Sequence, residues 1–275
     1  MYNSVDVETA FFDKNEQDKL VKENEKMHFQ SNFAFLNSHN GLRRGKMHLF
    51  IAPTGVGKST FVRSLVRDIV FKNKDAKVFL WVTEESKEDV KSQLAYCMPS
   101  SKQLENIVIF SELNNRSMTC DNVKEFIEHI SANMGFDVLI CDNITTSKCY
   151  REKKLSDQSS MIDWFKNICG KFNHAQFLIA HTGSEVRENQ TRLIDENDVR
   201  GSKYISNTVE FLYILQPVWV NQNIHQFLKV KKHRGQDLLH SLYYLVYNKE
   251  MKSFTKDVSK NYQDFVDIFK MRNKL

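Results

Sequence analysis

Residues 52–60 read Ala52-Pro53-Thr54-Gly55-Val56-Gly57-Lys58-Ser59-Thr60. The run before them, Lys46-Met47-His48-Leu49-Phe50-Ile51-Ala52, is short and apolar and predicts a buried strand. After them, Phe61, Val62, Leu65, Val66, Ile69 and Val70 recur at helical spacing over 59–71. A strand, a glycine turn and a helix in that order is the setting in which this pattern holds phosphate. Gly55 and Gly57 let the backbone turn so that its N–H groups converge on phosphate oxygens. The N-terminus of the helix adds the positive end of its dipole. Lys58 brings a full charge to the β- and γ-phosphates, and the Ser59 hydroxyl suits Mg2+, a hard cation that seeks oxygen. The candidate phosphate cradle is therefore Thr54, Gly55, Val56, Gly57, Lys58, Ser59 and Thr60. Ala52 stands where such loops usually open with glycine, a position that mainly needs a small residue. The plainer alternative, a chance glycine turn beside a surface lysine, leaves the flanking strand and helix unexplained.

Outward from this loop, residues 77–83, 106–110, 136–141 and 176–180 predict further strands, and 86–98, 123–134 and 159–172 predict helices between them. That alternation implies crossover connections and an α/β fold with a largely parallel sheet flanked by helices. Beyond residue 208 the texture changes. Residues 209–215, 226–232 and 242–247 predict strands joined by short polar turns, a C-terminal antiparallel extension of the same sheet. Residues 1–30 are polar and charge-rich and predict an N-terminal arm; residues 31–258 form the domain. In 259–275, Tyr262, Phe265, Val266 and Phe269 predict an amphipathic helix. Its stripe fits core packing, with a partner-docking tail as the alternative.

Strand ends are where ligands bind in such sheets. Asp142 closes Val138-Leu139-Ile140-Cys141 and is the candidate metal carboxylate opposite Ser59. Glu84 follows the second strand and is a candidate to orient and deprotonate an attacking water. Glu85 competes with it, and both could be plain helix-start acids. His181 follows the fifth strand, where a polar side chain could hydrogen-bond a γ-phosphate or serve structure alone.

Composition narrows the setting. The chain has 275 residues, 41% hydrophobic and 27% charged, with a formal net charge of +5 that permits a polyanionic partner without demanding one. No run is long and apolar enough to cross a bilayer, and the N-terminus lacks a signal-peptide pattern. A cytoplasmic protein without a membrane partner is the expectation. The five cysteines, Cys97, Cys120, Cys141, Cys149 and Cys169, have no C-x-x-C spacing and suggest free thiols.

With these residues in place, the chain resembles the RecA-like ATPase domain of DnaB-type replicative ring helicases, most of all the helicase half of phage primase-helicases. The resemblance runs from about Gly41 to Phe254 and rests on segments in the family order. These are the approach to the phosphate loop (41–63), Thr83-Glu84-Glu85-Ser86, Asp137 to Asn143, His181-Thr182-Gly183, Asp198-Val199-Arg200-Gly201-Ser202 and Lys232-His233-Arg234-Gly235. It implies a RecA-like P-loop NTPase fold, with Glu84 as the catalytic glutamate and Lys58 and His181 as its companions. It also implies ATP and Mg2+ as ligands and a homo-hexameric ring with nucleotide between subunits. Arg234 would reach the neighbour's nucleotide as a finger in trans, assisted by Lys232. Lys229 and Lys231 are then left as solvated charges, although on chemistry alone the cationic segment 229–234 could contact phosphate.

The resemblance further implies translocation on single-stranded DNA in a bacterial or phage-infected cell, with a separate primase or loader as a further partner. Family channel loops follow the fourth and fifth strands. In the first, Lys148, Arg151, Lys153 and Lys154 stand against Glu152 and suit phosphate. The second is net acidic, and Arg187 is its candidate contact. The arm at 1–30 is expected to dock on the adjacent subunit, as linker helices of ring helicases do. Two other functions share the core motifs. One is a RecA-like ATPase that does not unwind, such as a recombinase, a helicase loader or a nucleic-acid packaging motor. The other is a nucleotide-gated assembly module with incidental turnover, to which a water-activating Glu84 would be superfluous.

Overall fold

The computed structural model describes residues 27–38, 41–98, 101–151, 153–183, 193–220, 223–233, 242–260 and 263–267. Nine strands form one sheet in the order β11-β10-β9-β8-β3-β7-β6-β4-β5. Their ranges are β3 Met47–Ala52, β4 Val78–Val82, β5 Ile107–Ser111, β6 Val138–Asp142, β7 Ala175–His181, β8 Phe211–Val220, β9 Asn223–His233, β10 Leu242–Asn248 and β11 Ser253–Lys260. A small antiparallel pair, β1 (His28–Phe29) and β2 (Leu42–Arg43), stands apart from this sheet. The principal helices are α1 (Ala34–Asn37), α2 (Lys58–Lys72), α3 (Lys87–Cys97), α4 (Ser101–Leu104), α5 (Cys120–Asn133), α6 (Leu155–Phe172) and α7 (Tyr204–Thr208).

The expected α/β sheet is present, with β3, β4, β5, β6 and β7 all in parallel register. Every residue of β3 is buried, because helices cover both faces. Period-two alternation divides the strand between two cores. Phe50 and Ala52 join the cluster under α2, while Met47, Leu49 and Ile51 join the cluster under α5 and α6.

Two details of the C-terminal part differ from the sequence expectation. β8 pairs parallel to β3 and antiparallel to β9, so the antiparallel extension begins one strand later than expected. A further strand, β11, follows β10 and closes the sheet edge. Polar and charged residues hide it in the sequence, and its attachments are long-range. Asp257 on β11 accepts the backbone N–H of Ala34 and, at 2.8 Å, that of Phe35, capping α1 from 222 residues away. Arg67 of α2 donates to Ser253 Oγ at 2.9 Å and to the Phe254 carbonyl at 3.0 Å.

The helix starts also moved. α5 begins at Cys120, ahead of the expected 123, because Thr119 and Asn122 form a capping box. At the N-terminal side, residues 27–30 belong to the domain: Phe29 is buried and Gln30 N donates to Asn73 Oδ1 at 2.8 Å. The rest of the expected arm lies outside the described residues. Of the C-terminal stripe, residues 263–267 are helical, and buried Phe265 packs edge-on against Phe227 at 5.1 Å, in favour of the core reading. Among the described residues no helix is long and apolar enough to cross a membrane.

Candidate nucleotide site

The ends of β3, β4, β6 and β7 meet at one mouth, and the loop from 53 to 57 closes over it. Gly55 and Gly57 take φ of +80° and +90°, the left-handed region in which a side chain is strained. Gly57 has a second reason to lack a Cβ, since an added carbon would lie 3.2 Å from Gln226 Nε2 and 3.6 Å from the Phe254 ring. Gln226 also donates to the Val56 carbonyl. The antiparallel strands β9 and β11 thus buttress the phosphate loop from outside. Lys58, only 6% exposed, opens α2 and donates from Nζ to the Pro53 carbonyl.

A cavity of about 200 Å3 is lined by Thr54, Gly55, Gly57, Lys58, Ser59, Thr60, Glu84, Asn143 and His181. Most of the expected cradle is here; Val56 instead turns into the core at 5% exposure. Asp142 is buried beside it. Burial pushes its carboxyl up to about 6, and the negative Glu85 pushes the same way, against a hydrogen bond from Ser59 and the charges of Lys58 and Arg63. A dehydrated carboxylate touching a serine hydroxyl next to a phosphate cradle is an oxygen donor set suited to Mg2+. Ser59 and Asp142 therefore fit the metal that the motif implies.

The two glutamates point in different directions. Glu85 accepts from Arg63 at 3.1 Å and from Gln93 at 3.2 Å and is turned aside. The Glu84 side chain faces the cavity, half-exposed, with Oε1 3.7 Å from His181 Nε2.

His181 is buried and held on both ring nitrogens. The Asn143 side-chain oxygen Oδ1 accepts from Thr145 Oγ1 and Thr146 N, both at 2.9 Å. Its amide nitrogen is thereby aimed at His181 Nε2, 2.8 Å away, and donates to it. The ring proton then sits on Nδ1 and is donated to Thr54 Oγ1 at 3.0 Å. The His181 ring beside it is the largest influence holding the Glu84 carboxyl below its usual range, with the Lys58 charge and the Thr146 hydroxyl acting in the same direction.

Other expected residues lie elsewhere. Lys232 is on β9 with its ammonium on the Ser206 and Asn207 carbonyls, at 3.1 and 2.8 Å, at the end of α7. Arg234 and Arg187 lie outside the described residues. Arg151, Lys153 and Lys154 are exposed together just before and at the start of α6. Lys148 differs from them: its ammonium donates to the Asn115 and Met118 carbonyls at 2.9 and 2.6 Å, which fastens it within the chain. The expectation that Lys229 is solvated is corrected: it lies 5.2 Å over the Phe265 ring and burial lowers it to about 8. Lys231 is exposed, as expected, and pairs with Glu196 at 3.3 Å.

Two sets of residues escaped the sequence reading. Thr83, Asn143, Thr145 and Thr146 form the hydroxyl–amide network behind Asp142 and His181. Their proximity to the strand ends was the available signal. A larger groove of about 590 Å3 continues from Gly55, Gly57 and Thr60 between β9 and β10, where Trp219, His225, Tyr244 and Tyr247 line it. Those aromatics come from strands far along the chain, and no local pattern marks them.

The family model of the AAA domain matches residues 36–186, more than half of the chain, and the protein belongs to that family. Among solved structures it is similar to a DnaB-like replicative helicase determined with its interactions with primase. The TM-score is 0.67 at 14% identity, with 90% of this chain and 67% of that chain covered. That likeness bears out the fold expected from the resemblance. No curated protein matches the sequence.

Proposed function

We propose that this chain is an ATP-hydrolysing motor of the replicative ring-helicase type, assembled as a hexamer and translocating on single-stranded DNA. The observation that carries the reading is the convergence of Lys58, Ser59, Glu84 and His181 on one cavity, with Asp142 buried beside it, at the carboxyl ends of four parallel strands. The phosphates of ATP lie over the 55–59 turn, against backbone N–H groups and Lys58. The base and ribose lie along the aromatic groove that continues from it. Ser59 and Asp142 would hold Mg2+, which would supply charge neutralisation on the phosphate oxygens. Glu84 orients the attacking water and takes its proton. Thr54, whose oxygen accepts from His181, keeps its own hydroxyl proton free to donate towards the terminal phosphate. Arg234 of an adjacent copy completes the site, and Lys232 fixes the end of β9 immediately before it.

Arg151, Lys153 and Lys154 are the cations this reading assigns to the DNA backbone, together with Arg187. The internal engagement of Lys148 favours a second reading, a RecA-like ATPase that does not unwind, because it removes one cation from the set assigned to the DNA backbone. Unwinding of a forked duplex separates the two. Wild-type protein with ATP and Mg2+ should unwind it and Lys58→Ala should not. Robust DNA-stimulated hydrolysis without unwinding at either fork polarity would select the second reading.

A further inference from the structure

Cys120 and Cys149 are 29 positions apart in the sequence and meet in the fold. Cys120 is the first residue of α5, directly after the Thr119 cap, and is half-exposed. Cys149 is buried in the loop that follows β6, between Lys148 and Tyr150. The Cys149 Sγ donates to the Cys120 carbonyl oxygen at 3.9 Å, which sets the two cysteines side by side. The remaining cysteines, Cys97, Cys141 and Cys169, are all buried.

The two sulfurs are chemically unequal. The Cys149 thiol beside it is the largest influence on Cys120, and with the charges of Lys124 and Lys153 it brings that thiol down to about 7. The helix N-terminus favours the thiolate in the same way. Cys149 is pushed up, first by its bond to Cys120 and then by burial. One sulfur is therefore accessible and nucleophilic, and the other waits against it as a protonated partner.

We propose that Cys120 and Cys149 form a reversible, peroxide-oxidisable dithiol site that staples the loop after β6 to the start of α5. The Cys120 thiolate attacks one oxygen of a peroxide, the O–O bond breaks, and Cys120 becomes a sulfenic acid while the other oxygen leaves as hydroxide or alkoxide. The Cys149 sulfur then attacks the sulfenic sulfur and displaces its hydroxyl, which leaves as water with the Cys149 proton. Two electrons pass from the two thiols to the peroxide.

The staple has a defined mechanical reach. The loop is already fixed on its inner side. Glu112 accepts from Trp81 Nε1 at 3.0 Å, from Ser147 Oγ at 2.6 Å and from Lys148 N at 2.9 Å. On its outer side Tyr150 is clasped to Ser202, accepting from its N–H at 3.1 Å. A covalent bond at Cys149, between those two attachments, ties residues 148–151 to α5 and slows their local opening.

The test uses the full chain, reduced and then treated with a small excess of hydrogen peroxide. Free thiols should fall from five to three, and proteolytic mapping should find one intramolecular link joining the peptide with Cys120 to the peptide with Cys149. Dithiothreitol should restore all five. In Cys149→Ser the link should be lost and Cys120 should trap a sulfenic-acid probe. Backbone hydrogen exchange over 148–151 should slow at least severalfold in the oxidised protein. A link between other cysteines, an intermolecular product, or over-oxidised Cys120 with Cys149 untouched would overturn the assignment. An intact link with unchanged exchange over 148–151 would overturn the staple.

Discussion

His181 donates its Nδ1 proton to Thr54 Oγ1 at 3.0 Å, so the end of β7 and the phosphate loop share one hydrogen bond inside the cavity. Thr54→Val keeps the shape and removes the acceptor. The buried His181 N–H is then unsatisfied, at a cost of about 1–3 kcal/mol. Because the loop backbone is retained, Mg-ATP affinity should change by no more than a few-fold. The value of kcat should fall by roughly tenfold or more, as each 1.4 kcal/mol on the barrier is about a factor of ten. Steady-state ATPase kinetics beside equilibrium nucleotide binding check this.

Glu84 faces the cavity while Glu85 is committed to Arg63 and Gln93. Glu84→Gln should retain nucleotide and lose hydrolysis by about 10²–10⁴-fold, the range for removal of a positioned general base. Glu85→Gln should cost far less in turnover and show up instead as a modest loss of thermal stability. Single-turnover hydrolysis on the two variants distinguishes them; equal loss in both would sink the assignment of the base.

Gly57 combines a left-handed backbone with a close approach to Gln226. Gly57→Ala should destabilise the fold by about 1–2 kcal/mol from backbone strain alone. It should also abolish ATP binding, because the loop must reopen to relieve the contact with Gln226. Thermal unfolding with and without Mg-ATP is the measurement: the variant should have a lower Tm and lose the ligand-induced shift.

His174 is fully buried, stacked on Phe136 at 4.8 Å, with neither ring nitrogen hydrogen-bonded. Burial lowers its pKa from 6.5 to about 4. The unfolded chain therefore binds a proton first as pH falls. Above pH 6.5 the group has no effect on stability; between 6.5 and 4 it destabilises the folded state progressively, by roughly 3 kcal/mol at the lower end. Denaturant unfolding at pH 7 and pH 5 should show that loss, and His174→Phe should reduce the difference.

Local patterns carried most of the parallel sheet into view. The apolar run 47–52, the helical spacing after it and the repeated strand ends each depend on neighbours within a few residues. The same holds for Lys58, Ser59, Glu84, Asp142 and His181, since each ends or follows a readable strand. β11 was invisible because its residues are polar and its partners, Ala34, Phe35 and Arg67, lie some 186 to 223 positions away. Glu84 and Glu85 could not be separated in the sequence, because the choice rests on where Arg63 and Gln93 sit.

The sequence by itself determined the class of fold and the phosphate loop, because glycine conformational freedom, strand burial and helix periodicity are short-range properties of the chain. Tertiary structure alone decided which glutamate faces the cavity, which ring nitrogen of His181 carries its proton, and which two of five cysteines touch. Those are relations between side chains brought together by sheet order, and sheet order is set by the packing of distant segments.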